Sequence, residues 1–189
     1  MNTDVYQVLL GDFLLAIVLF GLFWYVARLA RNLRGIKAWG GAHLVYTLGA
    51  TVLDAFAPAL AQAGDPATAK LAVNAGSLLA CIGMVGLAWS IVLFTTQRAL
   101  SCIEIALMPA GIVLSSLAWV LDGTTEGQGN ALSTVEIVSL ALMAWHLYRM
   151  RERPGRLPAR LMMGGCLALI LLYGSVVPGW LDGLFGIDP

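Results

Sequence analysis

The chain has 189 residues, of which 59% are hydrophobic and 12% are charged, and its eleven basic residues balance its eleven acidic ones. A soluble domain carries about 25% charged residues, and one of this size lacks the interior to bury so much apolar surface. Lipid must therefore solvate part of the chain, as the mean hydropathy of +0.83 also indicates. The zero net charge argues against a basic nucleic-acid binder.

Six stretches of the chain supply the roughly 20 predominantly apolar residues that a helix needs to cross the hydrocarbon core of a bilayer. They predict an all-α, polytopic transmembrane helix bundle that forms a single domain over residues 1–189. The glycine-rich residues 122–130 are interpreted as a turn between the fourth and fifth helices. The predicted helices cover residues about 5–28, 38–61, 69–96, 101–121, 131–149 and 160–181.

Basic residues mark one side of this bundle. Ten of the eleven flank the first, third and fifth links, whereas only Lys70 falls on the other side. This is the positive-inside pattern, so these links are expected in the cytoplasm and, with six spans, both chain ends are expected outside. The ten residues are Arg28, Arg31, Arg34, Lys37, Arg98, Arg149, Arg151, Arg153, Arg156 and Arg160.

Small residues in the predicted spans suit close helix packing, because membrane helices cannot associate through the hydrophobic effect. We interpret these glycines as packing residues. They are Gly40, Gly41, Gly76, Gly83, Gly86, Gly164 and Gly165.

Two predicted helices carry polar stripes, each with a carboxylate toward the outer leaflet and a histidine toward the inner one. His43, Thr47, Ala50 and Asp54 share one face of the second helix at 100° per residue. Glu136, Ser139, Met143 and His146 share a face of the fifth. Ionisable residues are costly inside a membrane, so we expect both stripes to face the bundle interior.

The two histidines of the stripes are the only ones in the chain. Because they lie at similar depths on different helices, His43 and His146 are candidate axial ligands of a b-type haem, their metal role being through the haem iron alone. The alternative is that each histidine makes a hydrogen bond near the membrane interface. Proton or quinone handling is a third interpretation.

Five polar residues lie nearer the outer surface. Together they predict a pocket for a cationic or polar ligand, although mutual hydrogen bonds that fix the helices would explain them equally well. They are Asp12, Asp54, Asn74, Ser77 and Glu136.

Two segments resemble a known family. Residues 27–49 contain an arginine-rich link followed by Trp39-Gly-Gly at a helix start, and residues 74–87 begin with Asn74 and continue as a leucine- and glycine-rich span. They resemble the N-terminal multi-span sensory regions of bacterial membrane-bound diguanylate cyclases. The resemblance implies a multi-pass protein of the bacterial inner membrane with a cytoplasmic output. The sequence has no Gly-Gly-Asp-Glu-Phe signature, so these residues are expected to make no cyclic di-GMP themselves.

The sequence therefore predicts a non-enzymatic sensory or regulatory membrane domain, since no motif of a soluble enzyme occurs. We expect it to lie in the lipid bilayer, to self-associate as a homodimer and to signal to a cytoplasmic domain or protein. One alternative is a small b-type cytochrome that uses His43 and His146. The other is a small secondary transporter that uses Asp12, Asp54 and Glu136, although Pro109 is expected to be the only interruption of a span near mid-membrane.

Overall fold

The computed structural model describes residues 3–29, 35–121, 125–150 and 156–174. Every regular element in these residues is helical, which confirms the predicted all-α class. We number the six helices of the described residues in chain order. They are α1 (Thr3–Leu29), α2 (Ile36–Gln62), α3 (Pro66–Thr96), α4 (Cys102–Leu121), α5 (Thr125–Arg149) and α6 (Arg156–Gly174).

Four of these helices, α2 to α5, are long and apolar enough to cross a membrane. The apolar stretches described in the other two, Phe13–Leu29 of α1 and Ala159–Gly174 of α6, are shorter. Large apolar side chains are exposed around the outside of the bundle, as with Leu121 and Leu171, and such a surface suits contact with lipid. The described helices thus support a membrane protein.

The start of α5 corrects one prediction. Residues 125–130, expected to be part of a turn, are helical, and α5 begins at Thr125. The Gln128 side chain lies in the interior, where its Nε2 donates to the carbonyl oxygen of Ser115 on α4 at 3.2 Å. This tertiary contact explains why the helix extends through Gly127 and Gly129, whose intrinsic helix propensity is low.

Helix α2 contains a π-helical segment, Val52–Phe56, that the sequence analysis did not predict. Pro58 has no N–H to donate to the carbonyl of Asp54, and its ring would crowd that carbonyl in a regular α-helix. The wider π-helical turn accommodates both effects. The interruption expected at Pro109 is not found, since α4 is continuous over Cys102–Leu121, and the irregular segment lies in α2 instead. The polar stripe predicted on α2 therefore does not face the bundle interior along its whole length. Asp54 is exposed, whereas His43 and Thr47 are partly buried.

Glycines bring α2 and α3 into close contact. A Cβ atom on Gly83 would collide with the backbone of Tyr46, and one on Gly49 would collide with the backbone of Ala80. Gly76 is equally confined, since a Cβ there would meet Leu53 and the carbonyl of Gly49. The prediction that small residues allow close packing is confirmed at this contact. It does not hold at Gly41, Gly164 and Gly165, where an added Cβ would meet no other atom within 4 Å.

The helices are arranged around α3, which packs against α2, α4 and α5. Helix α1 packs on α2, and α6 packs on α5. Helices α2 and α6 do not form a packed pair in the described residues, so a gap remains between them.

The end of the bundle where α1, α3 and α5 finish is called the basic end. Phe94 and Leu147, near the ends of α3 and α5, border a cavity there together with Gly35, which precedes α2, and Met162 near the start of α6. Five of the ten clustered cations have described side chains. They are Arg28, Lys37, Arg98, Arg149 and Arg160.

We predict that Gly83→Ala destabilises the protein, because its methyl group would push α2 away from α3 at Tyr46. Overpacking of this kind costs about 1–3 kcal/mol in the free energy of unfolding. The measurement is thermal unfolding of the purified protein in detergent. Gly164→Ala is the matched control, since it adds the same methyl group to open space. Equal melting temperatures for the two variants would show that this helix contact is not tight.

Candidate functional site

A groove occupies the gap between α2 and α6, with α3 and α5 forming its floor. Its volume is about 380 Å³. Most of its surface is apolar, and three methionines supply flexible side chains that adapt to irregular shapes. The residues lining it are Trp39, His43, Tyr46, Met84, Leu87, Ile91, Leu140, Met143, Leu147, Met162, Gly165, Cys166, Leu169 and Tyr173.

A second cavity, of about 260 Å³, continues the groove toward the basic end. The two share Trp39, Ile91, Leu147 and Met162 as lining residues. Gly35 has φ 95°, a conformation that favours glycine, and a side chain there would collide with the end of α3. The backbone can therefore turn closely around this cavity before α2 begins.

The opposite end of the groove is polar. The Tyr46 hydroxyl donates a hydrogen bond of 2.7 Å to Glu136 Oε1, which joins α2 to α5 behind the groove wall. Glu136 is only 3% exposed. Tyr173 of α6 lies next to Tyr46 and interacts with its hydroxyl. Three helices thus contribute one cluster, Tyr46–Glu136–Tyr173, in which a buried carboxylate stands behind two hydroxyl groups.

Four of the five residues of the predicted ligand pocket have described side chains, and these lie in different environments. Asp54 and Glu136 are close enough to act on each other electrostatically. Ser77 instead belongs to a second network, described below, and Asn74 is partly buried with no hydrogen-bond partner for Oδ1. The side chain of Asp12 lies outside the described residues.

The second network joins α3, α4 and α5 away from the groove. The Ser77 and Ser115 hydroxyl oxygens are 3.0 Å apart, and Ser115 donates to Gln128 Oε1 at 3.2 Å. All three side chains are almost completely buried. Because each polar group finds its partner inside the bundle, this network is best explained as helix packing.

A third cluster lies at the basic end and is centred on Glu104. Arg98 binds its carboxylate through two hydrogen bonds of 2.9 and 2.7 Å, and the Ser101 backbone N–H donates to it at 2.6 Å. The Glu104 N–H in turn faces the Ser101 hydroxyl at 3.4 Å, which completes a capping box at the start of α4. The hydrogen bonds to Glu104 raise the pKa of Arg98. Glu104 is thus a charge partner at the start of a helix.

The two histidines have different environments. His146 Nε2 lies 3.5 Å from Glu104 Oε1, so it joins the third cluster and is buried there. His43 lines the groove, and its Nδ1 has no hydrogen-bond partner. His146 is not among the residues that line the groove. Among the described residues no group of three or more histidine, cysteine, aspartate or glutamate side chains could hold a metal ion. Haem ligation by the two histidines stays a prediction.

Sequence reasoning missed two residues of the groove's polar end, Tyr46 and Tyr173. Tyr46 follows His43 by three residues and so lies on nearly the same face of α2. This spacing could have placed it in the predicted polar stripe. Tyr173 gave no comparable signal, because nothing in the sequence indicates that α6 packs beside α5 with this face inward.

Comparison with known proteins does not assign a family to the chain. No protein-family model, curated protein or solved structure matches the chain.

We predict that Glu104→Gln lowers the free energy of unfolding by roughly 1–2 kcal/mol, since it weakens the charge-assisted bonds to a half-exposed arginine. Thermal unfolding of Glu104→Gln, Arg98→Gln and the double variant forms a double-mutant cycle. If the pair acts as a unit, the double variant is hardly less stable than either single variant. Strictly additive losses would contradict a direct interaction between the two side chains.

Proposed function

We propose that this protein is a non-enzymatic sensory or regulatory membrane domain that receives its signal inside the helix bundle. The observation that carries the proposal is the groove between α2 and α6. It is lined mainly by apolar side chains, and it ends at the Tyr46–Glu136–Tyr173 cluster. A buried carboxylate in a membrane helix is costly, and such residues mark ligand or ion pathways more often than packing alone.

In this proposal the chain has six spans, with both ends outside. The support is that α3 and α5 finish at the basic end and α4 begins there. At this end Glu104 of α4 contacts both Arg98 in the link after α3 and His146 of α5. The positive-inside rule places this end in the cytoplasm of a bacterial inner membrane. Asp65, which caps α3 by accepting a hydrogen bond from the Thr68 N–H at 3.1 Å, then lies on the outer side.

The signal is passed to a cytoplasmic output, for which the resemblance to sensory regions of diguanylate cyclases suggests a cyclase. Helix α5 offers a direct route, because Glu136 at the groove and His146 at the basic end lie on its same buried face. Self-association as a homodimer is part of the proposal, and the exposed apolar sides of α1 and α6 leave surface for it.

A secondary transporter is the second candidate. The observation that favours it is the π-helical segment of α2, which places an irregular turn at Asp54. Irregular helices beside ionisable residues are a common feature of transporter binding sites. Substrate uptake by proteoliposomes would distinguish a transporter, since a sensory domain moves no solute.

Reporter fusions test the orientation. We expect a reporter that is active only in the cytoplasm to work when inserted within residues 151–155 and to be silent when fused after Pro189. The cations that flank the link between α5 and α6 place it in the cytoplasm, and one further span then places Pro189 on the other side. A strong cytoplasmic signal after Pro189 would show that the number of spans is odd.

A variant that fills the groove tests the sensory function. Gly165 lines the groove, and a Cβ atom added there would meet no other atom within 4 Å, so Gly165→Leu should extend into the groove. We expect it to change the output of the full chain, measured as cyclic di-GMP in cells that contain its own output partner. Gly164→Leu is the matched control, because it adds the same side chain to the same helix outside the groove. An unchanged output in both variants would contradict reception of the signal in the groove.

A further inference from the structure

The polar end of the groove has carboxyl groups without a positive partner. Asp54 and Glu136 lie close enough to interact electrostatically, and neither forms an ion pair among the described residues. Lys70 is the one described cation away from the basic end, and its ammonium group lies 5.2 Å from the ring of Trp119, between α3 and α4. A cation brought to such a pair of carboxyl groups favours their charged form.

The groups that face the groove at this end are hydroxyls and aromatic rings. The Tyr46 hydroxyl uses its proton to bind Glu136, so its oxygen keeps only lone pairs for a ligand, and the carboxylate behind it makes that oxygen more negative. Tyr173 adds a second ring and a second hydroxyl. Aromatic faces within about 6 Å attract ammonium groups, and the attraction reaches about 2 kcal/mol where water is absent.

The remaining length of the groove accepts hydrocarbon. Between Tyr46 and Trp39 its walls are formed mainly by leucine, isoleucine and methionine side chains. Tyr46 follows Lys37 by nine residues, which places it roughly 13–14 Å along the helix from the basic end. This is about half the thickness of the hydrocarbon core. A phospholipid tail can enter the groove, but its headgroup stays at the interface and brings no positive charge to this depth.

We propose that the groove binds a cationic amphiphile, with its ammonium head at the Tyr46–Glu136–Tyr173 cluster and its apolar tail directed toward Trp39. The ligand enters sideways from the membrane, between α2 and α6. This inference rests on the proposed sensory function and names the class of its signal.

The test uses the full chain in nanodiscs of phosphatidylcholine. The probes are three amphiphiles with the same brominated alkyl tail and a trimethylammonium, hydroxyl or sulfate head. Bromine quenches tryptophan fluorescence on contact. The quenching that disappears in the Trp39→Phe variant therefore measures binding of the probe in the groove. We expect the trimethylammonium probe to reach half-maximal quenching at a concentration in the bilayer roughly tenfold lower than the other two.

Three variants locate the binding. Gly165→Leu should abolish the quenching of Trp39, whereas Gly164→Leu should leave it unchanged. Glu136→Gln preserves the shape of the cluster and should remove most of the preference for the cationic head. Equal quenching by all three probes would overturn the inference, as would a preference for the hydroxyl or sulfate head, or quenching that Gly165→Leu does not reduce.

The same variants distinguish a failure of the proposed ligand class from a failure of the proposed sensory function. If Gly165→Leu alters the cellular output but the trimethylammonium probe has no advantage, the groove receives a different ligand and only the ligand class is wrong. If the probe binds in the groove but neither leucine variant changes the output, the cationic site is real and the sensory function is wrong.

Discussion

The close contact of α2 with α3 determines where the rest of the bundle can lie. Gly49, Gly76 and Gly83 allow the two backbones to touch, and the contact at Gly83 is with Tyr46 itself. Because α2 is held against α3, it stands apart from α6, which packs on α5. The groove is the space that results, and the same contact fixes Tyr46 where its hydroxyl can reach Glu136 on α5.

Every polar group inside such a bundle needs a partner there, since the hydrocarbon core offers none. Three clusters of polar side chains meet this requirement to different degrees. The Ser77–Ser115–Gln128 network pairs neutral groups, and the Glu104 cluster pairs opposite charges. The groove cluster, by contrast, gives its carboxylate a single hydroxyl and no cation among the described residues. It is the one of these three sites where a ligand would supply what the protein lacks, and it is also the one that borders a cavity.

The sequence was sufficient for those features that depend on composition and helical periodicity. Hydrophobic length predicted the helices, and the phase of α5 predicted that Glu136, Ser139, Met143 and His146 share a face, which the structure buries. Features that depend on which helices are neighbours could not be predicted. The helical start of α5 depends on Gln128 reaching Ser115, and the polar end of the groove depends on Tyr173 of α6 meeting Tyr46 of α2. The exposure of Asp54 depends on how α2 accommodates Pro58, and regular 100° periodicity cannot anticipate that π-helical turn.

Helix α5 connects the two charged sites of the bundle. Glu136 and His146 are ten residues apart on it, or roughly 15 Å along the helix axis. Glu136 is bound to the groove wall through Tyr46, and His146 faces Glu104 and therefore the link that contains Arg98. A ligand that draws Tyr46 or Glu136 toward the groove would have to rotate or shift α5, because close-packed helices move as rigid elements more easily than they deform. The contact of His146 with Glu104 is the first interaction that such a movement would change at the basic end. Under the proposed sensory function, α5 would give a signal in the groove a mechanical path to the basic end.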